Sequence, residues 1–383
     1  FMTPAATVTL DEAAARAWGA VVVGAGPAGC MAARELARRS VVVLLVDRAA
    51  FPRRKVCGCC LNGRAAVVLR AVGLGALPAD CGAVPLHGVL LASGGRQAWA
   101  RLTGAALSRE SFDSALAAAA VASGAAFLPE TRAALADGPG DGRDGPRRLL
   151  LQQGERRAEV VARVVVAADG LGGRLPAPAG AAAEPEVGAR IGAGVATAKA
   201  PDFYRPGVVY MTCGAAGYAG LVRLEDGRLD MAAAFDAAAV RLAGGPGRVA
   251  AGLLREAGWP APERLENLPW RGTPPLTRRP RRVAAERLFV VGDAAGYVEP
   301  FTGEGMAWAL ASGAAVAPLA AQRWRPELAR RWAELHARIV GRRQVACRAA
   351  AAVLRRPWLT RLAVRLLSHA PALAAPVVHR LNH

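Results

Sequence analysis

The strongest constraint on the fold lies near the N-terminus, where Gly24-Ala25-Gly26-Pro27-Ala28-Gly29 matches G-x-G-x-x-G. The apolar run Ala20 to Val23 stops at Gly24 and predicts a buried strand. Pro27 stands where a first helical residue can stand, and Cys30 to Arg39 has helical composition. The β-branched run Val41 to Val46 then leads into Asp47, completing one βαβ unit. In such a unit the first glycine allows a tight turn, the second lets backbone approach a pyrophosphate, and the third lets helix and strand pack closely. The anion meets the unpaired N–H groups and the positive end of the helix dipole. Asp47, 18 residues past Gly29, is placed to accept a hydrogen bond from a ribose hydroxyl, with Arg48 beside it. A dinucleotide site built from Gly24, Gly26, Pro27, Ala28, Gly29, Asp47 and Arg48 is the expectation.

The chain has 383 residues, 53% of them apolar, which is enough for one or two real cores and excludes a disordered chain or a small disulfide scaffold. Seven cysteines, an odd number, do not read as a disulfide framework and fit a reducing compartment. The net charge of +19 invites a nucleic-acid reading. Lys55 and Lys199 are the only lysines, however, and from Arg323 to His383 13 arginines face only Glu327 and Glu334. The basicity is mostly a C-terminal property, no recognition motif accompanies it, and no nucleic-acid partner is expected. The longest uncharged run, Gly305 to Gln322, is alanine-rich and interrupted by Pro318, so no membrane-spanning helix is expected. The N-terminal residues show no basic region followed by an apolar stretch. A cytoplasmic protein, soluble or at most peripheral to a membrane, is the reading.

Beyond the first unit, Asp11 to Ala17 suggests a helical turn, Ser108 to Ala122 a helix, and Arg147 to Gln152 and Val160 to Ala167 strands, with Gly138 to Gly145 as a loop. Pro176 to Pro185 reads as a passage between domains. Arg190 to Phe235 carries several short apolar runs with a turn at Glu225-Asp226-Gly227-Arg228, which predicts an antiparallel sheet. Leu86 to Ala92 and Gln97 to Leu102, around Ser93-Gly94-Gly95, suit the same sheet. Leu288 to Val291 is a second short buried strand, ending in Gly292-Asp293, and everything after Gln322 reads as helical. The expected fold is α/β, α+β overall, in two domains. A Rossmann-like nucleotide domain comprises 1–80, 104–189 and 281–322; a discontinuous antiparallel-sheet substrate domain comprises 81–103 and 190–280; and 323–383 forms a basic helical C-terminal segment.

Two later segments specify the nucleotide. Val164 to Gly170 reads V-V-V-A-A-D-G, followed by Leu171-Gly172-Gly173-Arg174, and Leu288 to Gly296 reads L-F-V-V-G-D-A-A-G. With the glycine triplet, these segments resemble the FAD-dependent oxidoreductases of the p-hydroxybenzoate hydroxylase fold, which include aromatic hydroxylases, flavin halogenases and geranylgeranyl reductases. The resemblance covers roughly Ala20 to Gln322 and departs where Gly172-Gly173 replaces the usual serine, leaving Asp169 and Arg174 in place. It implies FAD as cofactor, with Asp293 and Gly292 at the ribityl or ribose side, Asp169 supporting the pyrophosphate, and Arg109 at the start of a helix beside the cofactor. Gly296 to Met306 reads G-Y-V-E-P-F-T-G-E-G-M, and its P-x-x-G-E-G pattern resembles the geranylgeranyl reductase-like branch. The resemblance places Pro300, Gly303, Glu304, Gly305 and Met306 at the flavin, where a helix N-terminus would stabilise negative charge on the reduced ring.

Phe51 to Gly63 reads F-P-R-R-K-V-C-G-C-C-L-N-G and resembles the K-x-C-G segment of the same branch, which implies a cysteine beside the flavin. Cys57, Cys59 and Lys55 are the candidate catalytic residues. No metal is expected, because Cys57-Gly58-Cys59-Cys60 lacks the paired C-x-x-C clusters of a zinc site. No two of the eight tryptophans form the W-x-W of flavin halogenases, and no second G-x-G-x-x-G follows a strand. Electrons would therefore come from transiently bound NAD(P)H or from a separate reductase. The leading expectation is a monooxygenase that hydroxylates a hydrophobic, aromatic or polyketide-like small molecule through a flavin C4a-hydroperoxide, with Tyr210, Tyr218 and Phe301 lining the substrate pocket. The alternative is reduction of C=C bonds in a prenyl or other lipid chain. Arg355 to Leu367 has the pattern of a basic amphipathic helix, read first as a lid on the catalytic domain and second as a contact for an anionic membrane. Nothing in the sequence sets an oligomeric state.

Overall fold

The computed structural model describes residues 3–136, 145–299, 301 and 303–369. The expected loop Gly138 to Gly145 lies almost wholly outside them, as does Pro300. The first sheet is built on the strand Ala17–Val23, which pairs in parallel with Val43–Val46 on one side and Arg156–Ala167 on the other. Ala126–Leu128 and Leu288–Val290 extend the parallel sheet outward. Arg147–Gln153 joins antiparallel against Arg156–Ala167 and carries Arg132–Leu135 in turn. Val21, Val22, Val43 to Val46 and Val164 to Ala167 are almost fully buried, as strands covered on both faces must be.

The helix Pro27–Ala37 starts directly after the glycine loop, with Gly26 as N-cap and Pro27 in its first turn. It packs against the helix Gly305–Ala320. A Cβ on Gly313 would meet the Ala28 carbonyl oxygen at 2.2 Å, so the two backbones touch only because that residue is glycine. The third wall of this core is the helix Arg109–Ala122, capped by Ser108.

The second sheet runs in the order Arg271–Pro275, Ile191–Thr197, Leu229–Phe235, Gly217–Arg223, Val208–Gly214, Val84–Ser93, Arg96–Ala106, Cys60–Asn62. The two sequence-distant hairpins do share it. The sheet is mixed rather than purely antiparallel, because Val208–Gly214 pairs in parallel with Val84–Ser93. That parallel seam joins the two pieces of the domain, which reach it by a long connection and not by a hairpin. The turn at Glu225 also clamps the two layers together. Its carboxylate accepts from the Ser108 amide at 2.9 Å and from the Ser108 and Ser111 hydroxyls at 2.6 Å each, all at the N-terminus of Arg109–Ala122. An acid is favoured there by the helix dipole.

After Gln322 the chain forms the helices Glu327–His336, Arg342–Leu354 and Pro357–His369, the first two joined by a π-helical turn at Ala337–Gly341. Trp332 is fully buried and donates from Nε1 to the Val290 carbonyl at 3.1 Å, which fixes this layer to the nucleotide sheet. The helix Pro357–His369 lies across Arg96–Ala106 and Val84–Ser93. Among the described residues no helix is long and apolar enough to cross a membrane.

Candidate active site

A cavity of about 1140 Å³ lies between the two sheets. It exceeds the range of roughly 300–1,000 Å³ usual for one small ligand. Gly24, Gly26, Pro27, Ala28, Asp47 and Arg48 all line it. Gly24 has φ +103°, and a Cβ there would lie 2.3 Å from the Ala168 carbonyl oxygen. Gly29 does not line the cavity; a Cβ on it would overlap the Gly24 carbonyl oxygen at 1.7 Å. Gly26 differs from both, since a Cβ there would meet only Arg53 Nη2 at 3.4 Å and Arg109 Nη2 at 3.9 Å. The space above Gly26 is thus open and faced by two guanidinium groups at a helix N-terminus, a setting suited to a pyrophosphate.

Those guanidiniums are held by buried acids. Asp113 binds Arg109 through Oδ1 at 2.8 Å and Oδ2 at 2.9 Å, and lies 3.2 Å from Arg53 Nη2. Asp47 Oδ2 accepts from the Ala25 amide at 2.7 Å and lies 3.5 Å from Arg53, while its Oδ1 accepts from Ala49 at 2.9 Å. Asp47 therefore braces the glycine loop as well as facing the cavity. Arg53 and Asp113 were not singled out in the sequence; the i, i+4 spacing of Arg109 and Asp113 and the basic run Arg53-Arg54-Lys55 were the available signals.

Asp169 and Asp293 line the same cavity from the ends of two parallel strands. Asp169 Oδ2 accepts from the Leu175 amide at 2.8 Å, and its buried Oδ1 has no partner in the structure. A Cβ on Gly173 would lie 2.1 Å from the Asp169 carboxyl carbon, which explains glycine where the family carries serine. Burial raises the carboxyl pKa of both acids above the ordinary range, opposed at Asp293 by Arg109 and Lys55. Gly292 adopts φ +63° under Ala28, and its amide donates to Ser312 Oγ at 3.0 Å. The open glycine cradle, the paired guanidiniums and the unpartnered Asp169 oxygen fit an extended flavin dinucleotide.

Lys55, Cys57 and Cys59 also line the cavity, as does Tyr297, a residue the sequence reading passed over. The Cys59 amide points at Cys57 Sγ, 3.4 Å away, from a backbone turned to φ +52°. Hydrogen bonding from Cys59 lowers the Cys57 thiol to about 6; burial opposes this, and Arg109 assists it. Hydrogen bonding to Cys57 and burial push the Cys59 thiol well up. Burial, with Arg53 and Arg109 nearby, lowers the Lys55 pKa. Among the described residues no group of three or more His, Cys, Asp or Glu side chains is arranged to hold a metal ion.

The flavin-side loop is only partly as expected. Gly303, Gly305 and Met306 line the cavity, and a Cβ on Gly305 would press on the Tyr297 ring at 3.2 Å. Glu304 does not line it: the side chain is buried in the helical layer, 3.5 Å from Arg343, with burial raising its pKa. Tyr218 and Phe301 do form a wall, their rings edge to face with centroids 5.3 Å apart. Tyr210 is a correction. Side chains alternate along a strand, so Val209 and Met211 face the cavity while Tyr210 packs on the far side of the sheet with Tyr204 and Trp259. Its hydroxyl donates to the Phe203 carbonyl at 2.8 Å and accepts from the Arg205 amide at 3.0 Å.

Residues 18–321 match the family model described as an FAD binding domain. The chain belongs to this FAD-binding family. FAD is accordingly the cofactor. Over 60 residues it is 53% identical to the menaquinone reductase of Mycobacterium tuberculosis, a match covering 16% of this chain and 15% of that protein. Over 166 residues it is 34% identical to digeranylgeranylglycerophospholipid reductase 1 of Methanopyrus kandleri, covering 42% of this chain and 41% of that one. Among solved structures it resembles the flavin-dependent brominase Bmp2, with TM-score 0.77, 18% identity, and 96% and 94% of the two chains covered. A geranylgeranyl bacteriochlorophyll reductase-like protein from Thermoplasma acidophilum gives TM-score 0.76, 19% identity and 92% coverage of each chain. The p-nitrophenol 4-monooxygenase of Pseudomonas putida gives TM-score 0.75, 14% identity, and 96% and 98% coverage. At these identities the structural likenesses establish the fold alone.

Proposed function

We propose that this flavoprotein reduces a C=C bond in a prenyl or other lipid chain. The observation that carries the reading is the continuity of the cavity. One cavity is lined by the glycine loop, Asp47 and the Lys55–Cys59 segment and also by Val89, Leu91, Trp99, Val209, Met211 and Leu367, an apolar path beyond the nucleotide-binding residues. An elongated apolar ligand fits such a path better than a compact phenol does. The names of the two sequence relatives, a menaquinone reductase and a digeranylgeranylglycerophospholipid reductase, support the same substrate class.

Bound FAD would supply the hydride, drawn first from NAD(P)H or from a partner reductase. Arg53, Arg109 and the N-terminus of Pro27–Ala37 would hold the pyrophosphate, Asp47 the ribose, and Asp293 the ribityl side. Cys57 Sγ, whose pKa lies near neutrality, would hold and return the proton that the second carbon of the double bond requires. Tyr218 and Phe301, whose rings wall the cavity edge to face, would exclude water from the reacting carbon.

Hydroxylation of a hydrophobic aromatic is the second reading, favoured by the edge-to-face Tyr218–Phe301 wall, which suits a flat ring. Mass spectrometry of the product separates the two. The FAD-loaded chain is reduced with dithionite under argon and given a geranylgeranyl lipid that carries no quinone ring. Gain of two hydrogens without oxygen is expected, and Cys57→Ala should lose most of that activity. A product that forms only with dioxygen and gains one oxygen atom would overturn the reductase reading.

A further inference from the structure

The helix Pro357–His369 buries Thr360 and Val364 against the substrate sheet, and Leu367 on the same side reaches the cavity. The opposite face is not polar. Trp358, Leu362 and Leu366, at i, i+4 and i+8, stand 64%, 45% and 53% exposed in one row. On a helix these three share one side, roughly 180° from Thr360 and Val364. Arg361 and Arg365 flank the row and Arg356 precedes the helix, all exposed, while Arg355 is held inward, donating to the Gly188 carbonyl at 2.7 Å and lying 3.7 Å from Glu299. From 355 to 369 the sequence contains four arginines and no acid. The Arg361 stem packs over Gly94, and on the adjoining strand Trp99 is 42% exposed while also lining the cavity.

From this we infer that the outer face of Pro357–His369 docks on an anionic lipid bilayer, with Trp358, Leu362 and Leu366 inserted among the acyl chains and Arg356, Arg361 and Arg365 on the lipid phosphates. Water is a poor solvent for an exposed row of Trp and Leu, and a row rimmed by cations with no acid matches an interface that is apolar within and negative at its surface. The place of the helix matters as much as its composition. Leu367 and Trp99 both line the cavity, which puts the docked face beside it, so an apolar substrate would pass from the bilayer toward the flavin without crossing water. This deepens the reductase reading by assigning the route of its substrate, but lipid docking itself needs no turnover.

Sedimentation with extruded vesicles tests the assignment, using the full FAD-loaded chain and no substrate. Binding to vesicles of phosphatidylglycerol and phosphatidylcholine should exceed binding to phosphatidylcholine alone and should weaken with salt. The triple variant Trp358→Ser, Leu362→Ser, Leu366→Ser should lose at least tenfold in partitioning while keeping its flavin spectrum. The pair Arg356→Gln, Arg365→Gln should lose about thirtyfold on the anionic vesicles and little on the neutral ones. The assignment is overturned if the chain stays in the supernatant, if the triple variant binds like its parent, or if the triple variant instead abolishes a dimer seen without lipid. Because the readout is binding alone, a chain that docks but fails to reduce prenyl lipids would refute only the reductase reading.

Discussion

At the residue scale, the three glycines of the nucleotide loop do different work, and substitution separates them. A Cβ on Gly29 has no place to go, since the Gly24 carbonyl oxygen lies 1.7 Å from it. Gly29→Ala should therefore cost about 3 kcal/mol or more of stability, through displacement of helix from strand. Gly26 opens on space and two flexible guanidinium groups. Gly26→Val should leave the fold and its stability near those of the parent but abolish FAD binding, because the side chain would take the pyrophosphate's place. Circular dichroism and flavin absorbance on the two purified variants check both outcomes; a yellow Gly26→Val protein would contradict the cradle. The motif spelled out these roles in sequence. It did not reveal that Arg53 and Asp113 complete the anion site, because that pairing depends on a loop returning over a helix.

At the scale of elements, Glu327–His336 owes its attachment to two aromatic side chains on one face. Trp332 bonds to the nucleotide sheet, and the His336 ring stands edge to face with it, centroids 5.5 Å apart. Burial lowers the His336 pKa to about 4, below the ordinary 6.5. Above pH 6.5 the ring is neutral in both folded and unfolded chains and has no effect on stability. As pH falls from 6.5 toward 4 the unfolded chain takes up a proton that the folded one resists, so stability drops by on the order of 2 kcal/mol. His336→Leu should remove most of that loss, read as a smaller fall in thermal midpoint between pH 7 and pH 4.5. The helical character of this segment was legible from its composition. Which helical face is buried was not, because Trp332 finds its partner carbonyl 42 residues earlier in the chain.

At the scale of the whole molecule, the cofactor would sit where the glycine loop, the Asp169 and Asp293 strand ends and the Lys55–Cys59 loop converge. A ligand gripped by so many separate segments binds the native state and not the unfolded chain. At free FAD one hundred times its Kd the native state should gain about 2.7 kcal/mol. Calorimetry with and without FAD should show the thermal midpoint rising by several degrees. A midpoint that does not move would mean that these segments do not close on the flavin together.

The amino-acid order by itself settled the βαβ nucleotide unit, the strand-end aspartates and the separate hairpins that make up the second sheet. Each of those is written in local pattern, in glycine spacing, apolar runs and turn residues that act on their nearest neighbours. Tertiary structure alone decided which side of the sheet Tyr210 faces, that Glu304 turns into the helical layer, and that Trp358, Leu362 and Leu366 remain uncovered. These are questions of register and of which faces meet, and they depend on segments far apart in sequence packing against one another.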